Sequence, residues 1–244
     1  MPNLLITLKF DGSSYHGFQV QKNAITVCEQ FQNAVEKILE IRYNVKGCSR
    51  TDAGVHAEMF CLSMKTDSKI PEANLLRALN TVLPYDIAVT DVRRVPDDFH
   101  ARYSCISKTY RYIIYNAPHK DPFRPTRVLH YPFDLDASKL NEQAQDFIGE
   151  FDFSAFCAVG SSVADTVRIV KSARVFRQGD DVIFEVSANG FLYNMVRIMT
   201  GTLLDIAAGR IPQGDIPVII KSRERKNAGK TAPARGLYLY SVEY

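Results

Sequence analysis

The chain has 244 residues, 46% of them hydrophobic and 23% charged, with a formal net charge of +3. These values exclude a disordered chain, and no apolar run approaches the ~18 residues of a membrane-spanning helix. Five scattered cysteines without a CxxC pair exclude a disulfide framework and a cysteine-rich zinc site, and the five histidines show no HExxH spacing. Asp52 and His56 stand four apart, but two potential ligands do not make a metal site. The start Met1-Pro2-Asn3 lacks the basic region of a secretory signal, so the expectation is a soluble, cytoplasmic protein.

Leu4, Ile6, Leu8 and Phe10 alternate with Leu5, Thr7 and Lys9, which predicts a strand with one strongly apolar face. Val27, Phe31, Ala34, Val35 and Ile38 follow at helical spacing. Short apolar segments at residues 43–47 and 59–64 read as strands. A second helix carries Leu75, Leu76, Leu79, Val82 and Leu83, introduced by Pro71 and stopped by Pro84, and residues 87–92 read as a closing strand. The order then repeats. Residues 109–115 predict a strand, Leu140, Ala144, Phe147 and Ile148 a helix, and residues 173–176 and 182–186 a hairpin about Gly179-Asp180. Leu192, Met195, Val196, Met199, Leu203 and Ile206 mark a long apolar helix, and residues 237–242 a last strand.

Each half thus reads β-α-β-β-α-β, the split βαβ or ferredoxin-like arrangement. The expected fold is α+β: two such halves, residues 1–103 and 104–244, related by a pseudo-twofold, with a central mainly antiparallel sheet and a positively charged cleft. The boundary falls near residues 99–107.

The charge is better read by its distribution than by its sum. Residues 221–235, KSRERKNAGKTAPAR, hold six basic residues against one acid and show no helical or strand period. Arg93, Arg94, Arg102, Lys108, Arg111, Lys120, Arg124 and Arg127 are threaded with Tyr103, Tyr110, Tyr112 and Tyr115. Cations for phosphates and aromatics for unstacked bases suit single-stranded or looped RNA. A solvated basic surface is the plain alternative for either group taken alone.

Between the second and third strands of the first half lies GCSRTDAGVHA, residues 47–57, where a two-residue turn would have sufficed. It crowds Arg50 and Asp52 between Gly47 and Gly54, with His56 just beyond. The bland reading is a turn in which Asp52 caps backbone N–H groups and Gly54 supplies a positive φ. An active-site loop is the other.

The run RTDAGVH, residues 50–56, resembles the signature loop of the tRNA pseudouridine synthase A family. FDGSSYHGFQ at 10–19, VPDDFHAR at 95–102, KTYRY at 108–112, NGFLYNMVR at 189–197 and ARGLYL at 234–239 agree with it, in order over nearly the whole chain. One departure is Ser49, which stands where the family pattern usually has glycine; it removes no catalytic group and bears only on fine specificity. Family members convert uridine to pseudouridine at positions 38, 39 and 40 of the tRNA anticodon stem and loop, as homodimers without metal or cofactor. The resemblance implies that activity, that partner and that assembly here.

It also implies the roles. Pseudouridine formation breaks the N1–C1′ bond, turns the uracil and joins C5 to C1′, so the base must leave the stack. Asp52 is implied as the nucleophilic carboxylate, attacking C1′ or C6 or permitting a glycal intermediate. Desolvation under a base disfavours an ionised carboxylate, and a nearby guanidinium opposes that. Arg197 is the candidate partner, because a cation among Met195, Val196, Ile198 and Met199 is costly unless paired; the alternative puts it on a wet helix face. Tyr110 shares a strand face with Tyr112 and reads as a core tyrosine by pattern, but the resemblance implies stacking on the uracil and help with the C5 proton. Arg50 suits phosphate contact or base extrusion, Leu237 the apolar wall of the pocket, and His56 a structural or RNA-facing place.

Two rivals stand. A nucleoside or glycoside hydrolase also works at C1′ but wants a second acid, for which Glu58 is the only carboxylate close by in sequence. A non-catalytic RNA-binding protein would use the cations and tyrosines equally well, though a carboxylate facing phosphates harms pure binding.

Overall fold

The alternation at the chain start forms β1 (Asn3–Phe10) in the computed structural model, which describes residues 1–160 and 163–244. Leu4, Ile6, Leu8 and Phe10 are at most 5% exposed, as their alternation requires. Most of the opposite face is buried too, with Leu5 at 1% and Thr7 at 8%, which alternation did not require, while Lys9 is exposed. Residues 96–106 account for this. Asn3 Nδ2 donates to Pro96 O (3.1 Å) and Phe99 O (2.8 Å), Ala101 N–H donates to Ser63 Oγ (3.2 Å), and Tyr244 Oη donates to Ala101 O (2.8 Å).

The first unit comprises Met1–Ile106 and Tyr238–Tyr244. Its first helix, α1 (Val27–Leu39), starts where Thr26 Oγ1 accepts the Glu29 N–H at 3.3 Å and buries Val27, Phe31, Ala34 and Val35. The second, α2 (Glu72–Val82), lies between Pro71 and Pro84, as expected of residues that cannot supply interior helix N–H groups, and buries Leu75 and Leu79. The strands β2 (Val45–Gly47), β3 (His56–Lys65) and β4 (Ile87–Val95) join β1 in the antiparallel order β4-β1-β3-β2. That is the ferredoxin-like order, and it makes β2 and β3 a hairpin whose connection is the Asp52 loop.

The second unit is Ser107–Leu237. Here β5 (Ser107–Tyr115) carries a short parallel partner β6 (Leu129–His130), and α3 (Ala137–Ala144) precedes β7 (Gly149–Asp152), β8 (Val167–Gln178) and β9 (Asp181–Ala188). The antiparallel order β5-β9-β8 repeats the first-third-second arrangement, with β7 added at the edge. Gly179, at φ 60°, turns the β8–β9 hairpin where the sequence placed it. The long apolar helix is α4 (Met195–Ala207), followed by α5 (Ile216–Ser222). The sequence pattern does not reveal β7 and α5, for local reasons: GEFD has no apolar face to alternate, and IPVII reads as a strand until Pro217 sets a first helical turn. The final strand, β10 (Leu237–Glu243), groups with the first unit, where it pairs in parallel with β3, Tyr238 opposite His56 and Leu239 opposite Ala57. The fold is thus α+β on mostly antiparallel sheet, and no helix among the described residues is long and apolar enough to cross a membrane.

Candidate active site

The Asp52 loop leaves the β2–β3 ladder after one further bond, Cys48 N–H to Cys61 O at 2.8 Å. It then closes a turn in which Val55 N–H donates to Asp52 O at 3.2 Å and Gly54 takes φ 77°, the positive value expected of it. Asp52 is half-buried, Arg50 exposed, and Ser49 half-buried.

A loop this polar would be mobile without a support, and the support is the other N-terminal motif. Residues 12–18 clamp it at three places. Phe18 N–H donates to Thr51 O (3.4 Å), Gly54 N–H donates to Tyr15 O (3.2 Å), and Gly12 N–H meets His56 Nδ1 (3.1 Å). The two backbones are so close that a Cβ on Gly12 would overlap Val55 O, and one on Gly17, which also has φ 83°, would overlap Thr51 O. FDGSSYHGFQ therefore serves as the cradle of RTDAGVH, which explains glycine at 12 and 17. Tyr15 fixes the cradle in turn through Oη to Asp86 Oδ1 at 2.6 Å, and burial followed by that carboxylate pushes its phenol well above the usual range. His56 is 1% exposed and stacked on Tyr238, ring centroids 4.6 Å apart, so it is a buried residue of the cradle and not an RNA-facing one.

In the second unit Tyr110 lies on β5 opposite Val186, 6% exposed, its ring edge-on to Phe191 at 5.0 Å. Tyr112, two residues on and on the same face, is fully buried and donates from Oη to Pro233 O at 2.7 Å. Burial raises its phenol above the usual range, against the opposing guanidinium charges of Arg197 and Arg235. Gly236 lets this ring lie close, since a Cβ there would come within 2.6 Å of it.

Arg197 sits in the first turn of α4, where every other residue from Met195 to Ile206 is buried. It is not on a wet face. Its Nε donates to Ala232 O and its Nη1 to Asn194 Oδ1, both at 2.7 Å, and Ala232 N–H donates back to Arg197 O at 3.0 Å. Asn194, at φ 60°, turns the chain so that its side chain can reach Arg197.

Beyond the end of α5 the basic run at 221–235 forms only two short 3-10 turns, Arg225–Asn227 and Ala234–Gly236, and so has no period, but it is anchored. Gly229 N–H donates to Thr202 Oγ1 (2.9 Å) and Lys230 N–H to Asp205 Oδ2 (3.1 Å), while Arg210 Nε holds Asp205 Oδ1 (2.7 Å). Gly201 and Gly229 permit the approach: a Cβ on the first would overlap Lys230 O, and one on the second would come within 2.5 Å of Thr202 N. Lys226 and Lys230 are left exposed. Leu237, at the start of β10, is 6% exposed. The sequence singles out Asp52, Tyr110 and Arg197; it assigns no role to Phe191 and Asn194, although both lie in NGFLYNMVR, nor to Ala232, because their contacts depend on tertiary approach, of which paired glycines at 201 and 229 are the kind of signal.

Comparison with known proteins agrees with these segments. The family model described as tRNA pseudouridine synthase matches residues 6–104 and 143–244. A protein named tRNA pseudouridine synthase A from Ruminiclostridium cellulolyticum is 46% identical over 245 residues, covering 100% of both chains. The protein of that name from Caldicellulosiruptor saccharolyticus is 44% identical over 244 residues, again across 100% of both. One from Staphylococcus aureus is 38% identical over 239 residues, 98% of this chain and 90% of its own. The chain belongs to the tRNA pseudouridine synthase family.

Proposed function

We propose that this protein isomerises uridine to pseudouridine at positions 38, 39 and 40 of the tRNA anticodon stem and loop, acting in the cytoplasm as a homodimer. Asp52 is the nucleophile. Tyr110 stacks on the extruded uracil and assists departure of the C5 proton, and Arg197 pairs with Asp52 to keep it ionised. Arg50 contacts phosphate or assists extrusion of the base, and Leu237 contributes an apolar wall.

The observation that carries this reading is the clamp on the Asp52 loop. Three contacts from residues 12–18 hold a half-buried carboxylate in a fixed turn, as a nucleophile requires and a surface cap does not. Arg197 is likewise oriented by Ala232 and Asn194, so its guanidinium is presented in one direction. Simple RNA binding does not call for this degree of bracing around a single acid, and hydrolysis at C1′ would want a second acid beside it.

The test is to incubate the protein with tRNAs bearing uridine at 38, 39 or 40, without metal or nucleotide, and to map pseudouridine by carbodiimide-dependent stops in primer extension. Stops at those three positions are expected. Free uracil among the products would indicate a hydrolase, and unmodified tRNA in a stable complex would indicate a binding protein.

A further inference from the structure

One nitrogen in the cradle faces two partners that ask opposite things of it. His56 Nδ1 is 3.1 Å from Gly12 N and 3.1 Å from Asp11 Oδ1. With a lone pair, Nδ1 accepts the Gly12 N–H; with a proton, it donates to Asp11 and leaves the N–H of buried Gly12 without that acceptor. Asp11 does not need the imidazole proton, because its Oδ1 already accepts from Ser13 N–H (3.0 Å) and Ser13 Oγ (2.5 Å). Burial of the ring and the Gly12 N–H favour the neutral imidazole with its proton on Nε2, against the charge of Asp11.

We infer that His56 is a positioning residue for Asp52, acting as a neutral imidazole whose Nδ1 holds Gly12, and through Gly12 the Asp52–Val55 turn. The coupling is steric. Gly12 lies against Val55 O without room for a Cβ, and Val55 N–H closes the turn on Asp52 O, so a shift of Gly12 is passed to the loop. Tyr238 fixes the plane of the ring by stacking at 21°. Of the two other clamp contacts, Phe18 to Thr51 and Tyr15 to Gly54, neither uses a titratable atom of the loop. The His56 contact is therefore the one that a proton breaks. The titratable groups that meet the ring in these contacts are Asp11, from the turn after β1, and Tyr238, from β10. Asp86, bonded to Tyr15, lies one step further along the cradle.

This role rests on the reading of Asp52 as the nucleophile. It is tested by single-turnover tritium release from tRNA labelled at uridine C5, over a pH series, with wild type, His56→Asn and His56→Phe. Asparagine offers a carboxamide oxygen near the place of Nδ1 and does not titrate; phenylalanine keeps the ring stacked on Tyr238 and removes the acceptor. The wild-type rate is expected to fall toward acid pH, as the imidazole takes up a proton and Nδ1 no longer accepts the Gly12 N–H. His56→Asn should keep most of the rate at pH 8 and lose that limb. His56→Phe should lose about a hundredfold in rate with tRNA affinity unchanged, the size of effect that a small misplacement of a reacting group produces. Hydrogen exchange at the Gly12 and Gly54 amides should quicken in His56→Phe and not in His56→Asn. A His56→Phe rate equal to wild type, or an acid limb unchanged in His56→Asn, overturns the role while leaving the enzyme reading intact. Absence of release from wild type overturns both. Should His56→Phe fail to fold by circular dichroism, the pH profile of His56→Asn decides alone.

Discussion

Arg197 and Ala232 hold each other twice: Ala232 N–H donates to the arginine carbonyl at 3.0 Å, and Arg197 Nε donates to the alanine carbonyl at 2.7 Å. The side chain thus ties the basic C-terminal segment to the first turn of α4, and the segment in return sets the guanidinium. Arg197→Lys retains the charge but has no Nε–H and no fork. We expect this variant to lose about 1.5–3 kcal/mol of local stability at residues 229–232, the range for a hydrogen bond to a charged group. Faster amide exchange there, with the rest of α4 unchanged, is the check.

The same segment yields a contest of signs at Gly201. Alanine in a helix interior is better than glycine by about 0.5–1 kcal/mol, but overpacking a tight contact costs about 1–3 kcal/mol. The Cβ would overlap Lys230 O, which is backbone and fixed by Gly229 and Ala232. Gly201→Ala should therefore lower the urea midpoint. A midpoint that rises would mean that the segment moves aside freely.

How much of the molecule is legible in residue pattern depends on whether the cause is local. The strands and helices of the first unit follow from alternation at Leu4 to Phe10, helical spacing from Val27 to Val35, and prolines at 71 and 84, all of which act within a few residues. Asp52, Tyr110 and Arg197 are singled out through motif resemblance, since by pattern Tyr110 is a core tyrosine, and its burial of all but 6% is what that pattern predicts. What escapes is tertiary. Nothing near Gly12 in sequence announces Val55, and nothing in KSRERKNAGKTAPAR announces Gly201, because those contacts form only once distant segments meet.

A cross-strand triad gives a pH dependence with a definite sign. Glu185 on β9 lies between Arg111 of β5 and Arg174 of β8, with Nε–carboxylate distances of 2.6 and 2.7 Å. Burial pushes this carboxyl up, but the hydrogen bonds from Arg174 and Arg111 and their charges outweigh it and hold it below the usual range. A group whose folded pKa is depressed contributes stability above its unfolded value, about 4.3, and loses it as the pH falls through the folded value. Urea unfolding from pH 7 down to pH 3 should show stability declining below about pH 4.3, and Glu185→Gln should be less stable at pH 7 with a shallower acid decline. An equal decline in the variant would assign the acid sensitivity to other carboxylates.

Lys226 and Lys230 are exposed on a segment whose backbone is anchored, a good arrangement for meeting phosphates. Replacing both by alanine should weaken tRNA binding and reduce the salt dependence of log K by about one unit for each phosphate no longer neutralised. An unchanged slope would make that segment a solvated surface.

The proposed reaction turns on Asp52. Joining C5 of uracil to C1′ obliges the C5 hydrogen to leave, whereas hydrolysis leaves it on the base and binding never touches it. The most direct measurement is tritium release to water from tRNA labelled at uridine C5, comparing wild type with Asp52→Asn, which preserves the size of the side chain and removes the nucleophile and its charge. Release by the wild type without metal or nucleotide is expected, and none above background from Asp52→Asn, although that variant still binds tRNA. Undiminished release from Asp52→Asn would contradict that role.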